Sequence, residues 1–377
     1  MDRRPLFAVG LAAFALIGAQ QALYGPAFPA LQARYAIGVG EVGQIVSAHF
    51  AGGLVGVLLA GPLLRPFGYR RLVPVASLGV ALGLALVVLA PTWPAALASS
   101  VGAGLGFGML VSLLNLAFAR AFESRSTQAL AVLNATFGIG AVLGPVPVAI
   151  ALDRGGGAAA LAPGFFGLAA LALVVAVVSA ATRTWPTLPP ARVAGAAPVR
   201  WGVVAGFGVA LSVYVALESN AAAWAPTHLA LELDVGRAAL ATSVFWAAAT
   251  AGRLIVAALP WRIAPGAYVV GAGVASAAAL GLAHVSGFGL VAYALVGLAV
   301  APVFPATIAW LTRVFPDSVE RVAPFVLAAA NFGPVFGAPV VGAAVAWGGA
   351  DVVPSVLLVF AVLLVVLALA LRRATAT

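Results

Sequence analysis

The chain has 377 residues, 64% of them hydrophobic and only 8% charged, with a mean hydropathy of +1.14 and a formal net charge of +9. A water-soluble domain carries charge on roughly a quarter of its residues, so these figures exclude one and make lipid the surrounding solvent. Cysteine is absent, which rules out disulfides, thiol catalysis and Cys-based metal sites, and His49, His228 and His284 are too scattered in sequence for a metal centre.

A helix needs about 20 mainly apolar residues to cross the hydrocarbon layer. Between its charged or Pro/Gly-rich breaks the chain holds twelve such stretches: 5–31, 41–64, 72–91, 93–119, 127–152, 161–182, 200–229, 237–260, 264–285, 287–314, 319–347 and 351–372. The first, with Arg3 and Arg4 ahead of it, has the look of a secretory leader, but it is too long and runs straight into a second span. All 19 basic residues are Arg, and all but Arg253 sit in connectors and tails, not on a basic face interleaved with aromatics, so nucleic acid is excluded as a partner. With the N-terminus in the cytoplasm, fifteen arginines fall on the inner side, Arg34, Arg154 and Arg237 on the outer, and Arg253 within a span. That asymmetry predicts two cytoplasmic termini and an even number of spans.

The longest hydrophilic interruption, Arg183 to Arg200 with four prolines, follows the sixth span and reads as a linker. It divides the chain into an N-terminal six-helix bundle (1–182), a linker (183–199) and a C-terminal six-helix bundle (200–377). The halves repeat: Ser47-Ala48-His49-Phe50 before Gly56 aligns without a gap on Ser243-Val244-Phe245-Trp246 before Gly252, while Pro29 pairs with Pro226 and Gln21 with Glu218. Such repeats place a binding site at the midplane between the halves.

Twelve spans, a central linker and Gly61-Pro-Leu-Leu-Arg65-Pro-Phe-Gly68-Tyr-Arg70-Arg71 after the second span together resemble the major facilitator superfamily. The resemblance implies an all-α membrane protein of 12 transmembrane helices in two pseudo-symmetric six-helix bundles, lining a cavity with helices 1, 4, 7 and 10. Gly61, Gly68, Arg70 and Arg71 fit the family's inner-gate signature, but Arg65 stands where it usually has Asp. Gly140 to Pro145 resembles its antiporter motif, with Val148 and Ala149 replacing the following Gly pair. Tyr214-Val-Ala-Leu-Glu218 with Trp224, and Gly252-Arg253, resemble the fucose-permease-like sugar-transporter branch, with Ala216 in place of that branch's Gly.

Glu218 and Arg253 are the only formal charges deep in predicted spans, where each costs at least about 2.5 to 3.5 kcal/mol unless paired or hydrated. At 1.5 Å per residue they differ in depth by about 7 Å, within reach of an Arg side chain. The proton affinity of a carboxyl depends on its burial and on nearby guanidinium groups, so a changing Glu218–Arg253 distance suits proton coupling; the plainer alternative is a structural ion pair. His49 titrates near neutral pH in water and is a second proton candidate, though a lone His more often bonds helix to helix.

Gln20, Gln21 and Tyr24 lie at a depth similar to Glu218, with Tyr24 spaced to sit beside both amides. With Tyr214, Asn220, Trp224 and Trp246 they form a candidate pocket for a small polar solute such as a sugar, amides meeting diols and indoles meeting a C–H face. Asn134 and Asn331 occupy comparable places beside Phe137-Gly138 and Phe332-Gly333, with interhelical bonding and solute contact equally open, and Asn115 reads as part of the inner gate or as a cap. Gly102 to Gly108 is not a phosphate loop, because no strand precedes it and it lies inside an apolar span; alternating Gly instead admits a close neighbour. Prolines 302, 305, 324, 334 and 339 suggest hinges in spans ten and eleven.

The sequence therefore reads as a monomeric bacterial inner-membrane transporter of a small-molecule substrate, a small polar solute such as a sugar, with coupling to protons and no cofactor. Rivals are an exporter of amphipathic drugs, an organic-anion carrier with Arg253 as ligand, and a non-transporting sensor or scaffold. An enzyme is disfavoured, since no nucleophile, base and orienting group appear together.

Overall fold

The structure, a computed structural model, describes residues 3–122, 125–187, 199–258 and 263–375. Among these no strand occurs, and twelve helices are long and apolar enough to cross a membrane. They are α1 (Arg4–Leu23), α2 (Val39–Phe67), α3 (Tyr69–Leu89), α4 (Trp93–Phe122), α5 (Gln128–Asp153), α6 (Gly157–Ala181), α7 (Trp201–Leu229), α8 (Val235–Val256), α9 (Pro265–Leu282), α10 (Gly289–Val314), α11 (Val319–Gly348) and α12 (Ala350–Thr375). An even number puts both termini on one face, hereafter the terminal face. Residues 188–198, most of the expected linker, together with Arg192 and Arg262, lie outside the described residues.

Helix breaks account for the main departures from the expected spans. The first was expected to reach residue 31, but α1 stops at Leu23; a turn carries the chain through Pro26, and a separate helix runs Phe28–Tyr35. Between α2 and α3 the connector is the single residue Gly68, whose φ of 70° is one that L side chains rarely adopt. Of the five prolines expected to act as hinges, Pro302 lies at a helix break, between Gly289–Val300 and Val303–Val314, whereas Pro324 and Pro339 sit inside helices. The break in α11 is at Asn331 instead.

The two halves pack alike. In the first, α1 lies on α5, α2 on α4, and α3 on α4 and α6; in the second, α7 lies on α11, α8 on α10, and α9 on α10 and α12. Small residues fix the register of these crossings, because their backbones touch. A β-carbon on Gly140 would overlap the Ala15 carbonyl oxygen, and one on Gly333 the Ser212 oxygen. One turn further on, Gly144 meets Ala19 and Gly337 meets Ala216. Gly104 abuts the His49 carbonyl as Gly297 abuts that of Phe245, and Gly56 meets Leu105 as Gly252 meets Leu298. Four contacts at two helix crossings thus recur, with His49 in the place of Phe245 and Gly56 in that of Gly252.

That register corrects one expectation. Gly140 and Gly333 occupy the same crossing, so the partner of Asn331 in the first half is Gly138, and Asn134 corresponds to Leu327. The two asparagines are offset by one helical turn. The Phe-Gly dipeptides that suggested their equivalence are themselves out of register, a consequence of the abundance of small residues in both helices.

Far from the termini the halves are pressed together. Gly25 abuts Ala223, Gly40 abuts Gly342 and Ala346, Gly236 abuts Asp153, and the Ser243 hydroxyl donates to the Val142 carbonyl at 2.8 Å. Contact continues to mid-depth, where Gly138 meets Thr250 and the Asn331 side chain approaches Gly53.

Candidate functional site

Glu218 lies eleven residues before the end of α7, about 16 Å along the helix axis. Its side chain is 8% exposed. Two groups approach the same oxygen, Oε1: the Tyr214 hydroxyl, one turn back on α7, donates at 2.8 Å, and Arg253 Nη2 on α8 donates at 3.2 Å. Spacing of four on α7 makes the first contact, and the matched depth of the two helices makes the second. The guanidinium has two further contacts. Its Nε donates to the Ala301 carbonyl at 3.4 Å, and its Cζ lies 5.9 Å from the centre of the Trp246 ring.

The Ala301 contact follows from a proline. An α-helical carbonyl bonds the amide four residues on, and position 305 is proline, which has no N–H. The Ala301 oxygen is therefore left for Arg253. Sequence reasoning missed this partner, although the four-residue spacing to Pro305 was there to be read.

Arg253 is 29% exposed at its side chain. The lipid-type face of α8 carries Ala247, Ala251, Leu254 and Ile255, all exposed. At 100° per residue Arg253 lies roughly on the opposite side from the middle of that stripe, so its exposed part faces the interior of the bundle. Trp246, on the same side as Arg253, packs edge-on to Phe137 of α5 with centroids 5.7 Å apart. A continuous line of contacts thus runs from Glu218 through Arg253 and Trp246 to the other half.

The proposed solute-binding residues separate. Gln20 is fully buried and donates to the Ala103 carbonyl of α4, while Tyr24 is placed between His49 and Ser100. Gln21 is half-buried. Tyr24 Oη is 3.4 Å from His49 Nδ1 and accepts from Ser100 at 3.3 Å; the Ser100 hydroxyl is also 3.0 Å from the Ile45 carbonyl. Gln20 and Tyr24 thus both pack toward α4, while Gln21 is the less buried of the two amides. Asn220 is fully buried, bonded to Ala216 of its own helix and adjacent to Gly337 of α11.

Trp224 is placed differently from the sugar-stacking position expected of it. It is fully buried, edge-on to Phe28 at 5.0 Å, with its ring against Gly43. Both neighbours belong to the first half, so Trp224 is a plug in the seal far from the termini. Asn134 is exposed and bonds Leu130 of its own helix, and Asn331 bonds Leu327. Asn115 bonds Val111 in mid-helix, seven residues before the end of α4, and is not a cap.

Several of these side chains keep a buried polar atom without a protein partner: Gln20 Oε1, His49 Nε2, Asn220 Oδ1, Trp224 Nε1 and Trp246 Nε1. Such atoms are costly unless something else satisfies them.

On the terminal face Gly61, Arg65, Arg70 and Arg71 are exposed, and Gly68 makes the turn. Arg65 occupies the last turn of α2, where a cation complements the helix dipole. Among the described residues the ion pairs are Glu218–Arg253 and Asp234–Arg237, so Arg65, Arg70 and Arg71 form none there. Tyr69 instead stacks on Trp185 and accepts from Arg120 at 3.4 Å.

Comparisons with known proteins agree with this architecture. The D-xylose-proton symporter superposes with a TM-score of 0.78 at 16% identity, over 98% of this chain and 97% of that one. The major facilitator superfamily transporter FucP, in the outward conformation, gives 0.62 at 19%, over 95% and 98%. The human organic anion transporter MFSD10 (TETRAN) gives 0.69 at 17%, over 98% and 100%. At these identities the likeness is one of fold. A search of the curated proteins finds no match. The family model described as Major Facilitator Superfamily matches residues 10–291, most of the sequence, and the chain belongs to that superfamily.

Proposed function

We propose that this protein is a secondary active transporter that moves a small polar, sugar-like solute by alternating access, in symport with protons. The observation that carries the reading is the Glu218–Arg253 pair. It is a mid-membrane acid and base with partial access to the interior, connected through Trp246 and Phe137 to the surface where the halves meet. Protonation of Glu218 would remove the charge that holds Arg253, and Arg253 in turn touches the indole that bridges the halves. Residues 1–182 and 200–377 act as the two rocking bundles on the linker 183–199. In this reading, the contacts between the halves far from the termini, with Trp224 against Phe28 and Gly43, are those of a state closed on that side. Unpaired polar atoms of Gln20, His49, Asn220 and Trp246 favour a cargo rich in hydroxyls.

The arginine asymmetry supports cytoplasmic termini and a bacterial inner membrane. Thermal unfolding of the purified protein with D-xylose, L-fucose, uridine, succinate and tetraphenylphosphonium tests the cargo, since a ligand at 100 times its Kd adds about 2.7 kcal/mol to stability. Stabilisation by the sugars or the nucleoside supports the proposal. A shift with succinate alone would favour the organic-anion carrier, for which Arg253 is the available cation, and a shift with the lipophilic cation alone would favour drug export.

A further inference from the structure

On the terminal face of the second half, away from Glu218, the starts of α7 and α9 and the ends of α10 and α12 border an open recess of about 830 Å³. Arg200, Arg313, Arg372 and Arg373 line it, one or two from each of three different helix ends, and its lining includes no carboxylate. The acids of the neighbouring turn, Asp317 and Glu320, form no ion pair with these arginines among the described residues. Among the described residues, Arg200 Nη1 lies 3.4 Å from the Ala374 carbonyl. Four like charges converging on one cavity repel one another, and an anion bound between them removes that cost.

Two more features fit a phosphate-bearing anion. The first turn of α9, from Pro265 to Ala267, forms part of the wall. An 18-residue helix directs its positive end there; the Ala267 and Tyr268 amides bond the Ala264 carbonyl, which leaves the Gly266 amide as the first-turn donor in the wall without an intrahelical acceptor. Along α12, Val359, Val362, Val366 and Leu369 form an exposed apolar stripe at helical spacing, and Leu369 is itself in the cavity wall. A soluble anion has no use for such a stripe, whereas an acyl chain does.

We propose that this cavity is a binding site for the phosphate headgroup of an anionic phospholipid, with an acyl chain lying along α12. Basic recesses between transmembrane helices are suited to such headgroups. The site is independent of the transport reading: it holds or fails whatever the cargo is.

Native mass spectrometry of the purified full-length protein in mixed micelles tests it, with cardiolipin, phosphatidylglycerol and phosphatidylcholine supplied in turn. The wild type should retain one cardiolipin, or one to two phosphatidylglycerols, and no phosphatidylcholine. R313Q/R372Q/R373Q should weaken retention on the order of a hundredfold, at roughly fivefold per guanidinium. Gly266→Leu keeps every charge but fills the wall, since a β-carbon there already meets Arg372 Cγ at 2.9 Å and the Trp310 ring at 3.0 Å; it should also lose the lipid. R70Q/R71Q, which removes charge from the same face of the other half, should bind as the wild type does. Equal losses in R70Q/R71Q and R313Q/R372Q/R373Q, or full retention in Gly266→Leu, would overturn the site. Thermal stabilisation by inorganic phosphate or glycerol 3-phosphate equal to that by the lipids would overturn the lipid assignment in favour of a soluble anion.

Discussion

Replacing Glu218 with Gln is the most informative perturbation. The glutamine carbonyl still accepts from Tyr214, so that bond of 2.8 Å survives, while the charge facing Arg253 is lost. Breaking a fully buried ion pair costs about 3–5 kcal/mol because one charge is left without compensation. Here Arg253 is 29% exposed and keeps the Ala301 carbonyl and the Trp246 ring, so the expected cost is lower, about 2–3 kcal/mol. R253Q leaves a carboxylate that is 8% exposed and should cost at least as much. The double variant E218Q/R253Q leaves no orphan charge and should be less destabilised than the sum of the singles by about 2 kcal/mol, in a double-mutant cycle read by thermal unfolding. Uptake into proteoliposomes with an imposed pH gradient, using the sugar that stabilises the protein, then separates two roles. If Glu218 carries the proton, both E218Q and the double variant lose gradient-driven accumulation yet retain solute exchange at equal pH. Accumulation at the wild-type rate in the double variant would refute the coupling role and leave a structural pair.

Further predictions follow from packing and charge. Gly102→Ala should be neutral or stabilising by up to about 1 kcal/mol, because no atom lies within 4 Å of its β-carbon, whereas Gly104→Ala should cost about 3 kcal/mol or more by overlapping the His49 carbonyl; melting temperatures of the two variants check this. A G40C/A346C pair, whose β-carbons start 2.8 Å apart, should form a disulfide after a separation of about 1 Å, arresting transport until dithiothreitol is added; the chain has no other cysteine to compete. Glu232, outside the membrane, accepts from the Gly287 amide and the Ser286 hydroxyl, which hold its carboxyl below the ordinary 4.5. A depressed native pKa adds stability above the unfolded value that is lost as pH falls through the native one, so E232Q should flatten the melting temperature against pH below about 4.5 and match the wild type's slope at pH 7.

Hydropathy made the twelve spans legible because each must satisfy its backbone internally across some 30 Å of hydrocarbon. The Glu218–Arg253 contact was legible for a related reason: two charges at equal depth on consecutive helices have few other partners in lipid. What composition could not give was direction around the helix axis. Gln20, Gln21 and Tyr24 are neighbours by spacing, yet the packing of α4 takes Gln20 and Tyr24 toward Ala103 and Ser100 and leaves Gln21 half-buried. Trp224 looked like a sugar platform, but its use depends on Phe28 and Gly43, which lie some 180 to 200 positions earlier in the sequence and are brought to it only by the association of the halves.

The repeat register adds a final step. Gln21 corresponds to Glu218, and by the crossing that pairs Gly56 with Gly252, Val57 corresponds to Arg253. One half therefore holds both membrane charges, and the other holds a neutral amide and an aliphatic residue in the equivalent places. On the proposed coupling, a change in the protonation of Glu218 would act on α7 and α8, while α1 and α2 would offer an unchanged surface. Because Arg253 reaches Trp246, and Trp246 reaches Phe137, the proposed one-sided change would be felt where the halves join. Installing the missing pair as Q21E/V57R should then create a second charged site without a counterpart to Trp246's contact, since Phe50 takes that position and packs on Phe107 within its own half. Proton dependence of uptake should continue to follow Glu218 in that variant, and its transfer to residue 21 would show that the route to the interface is not what gives the second half its role.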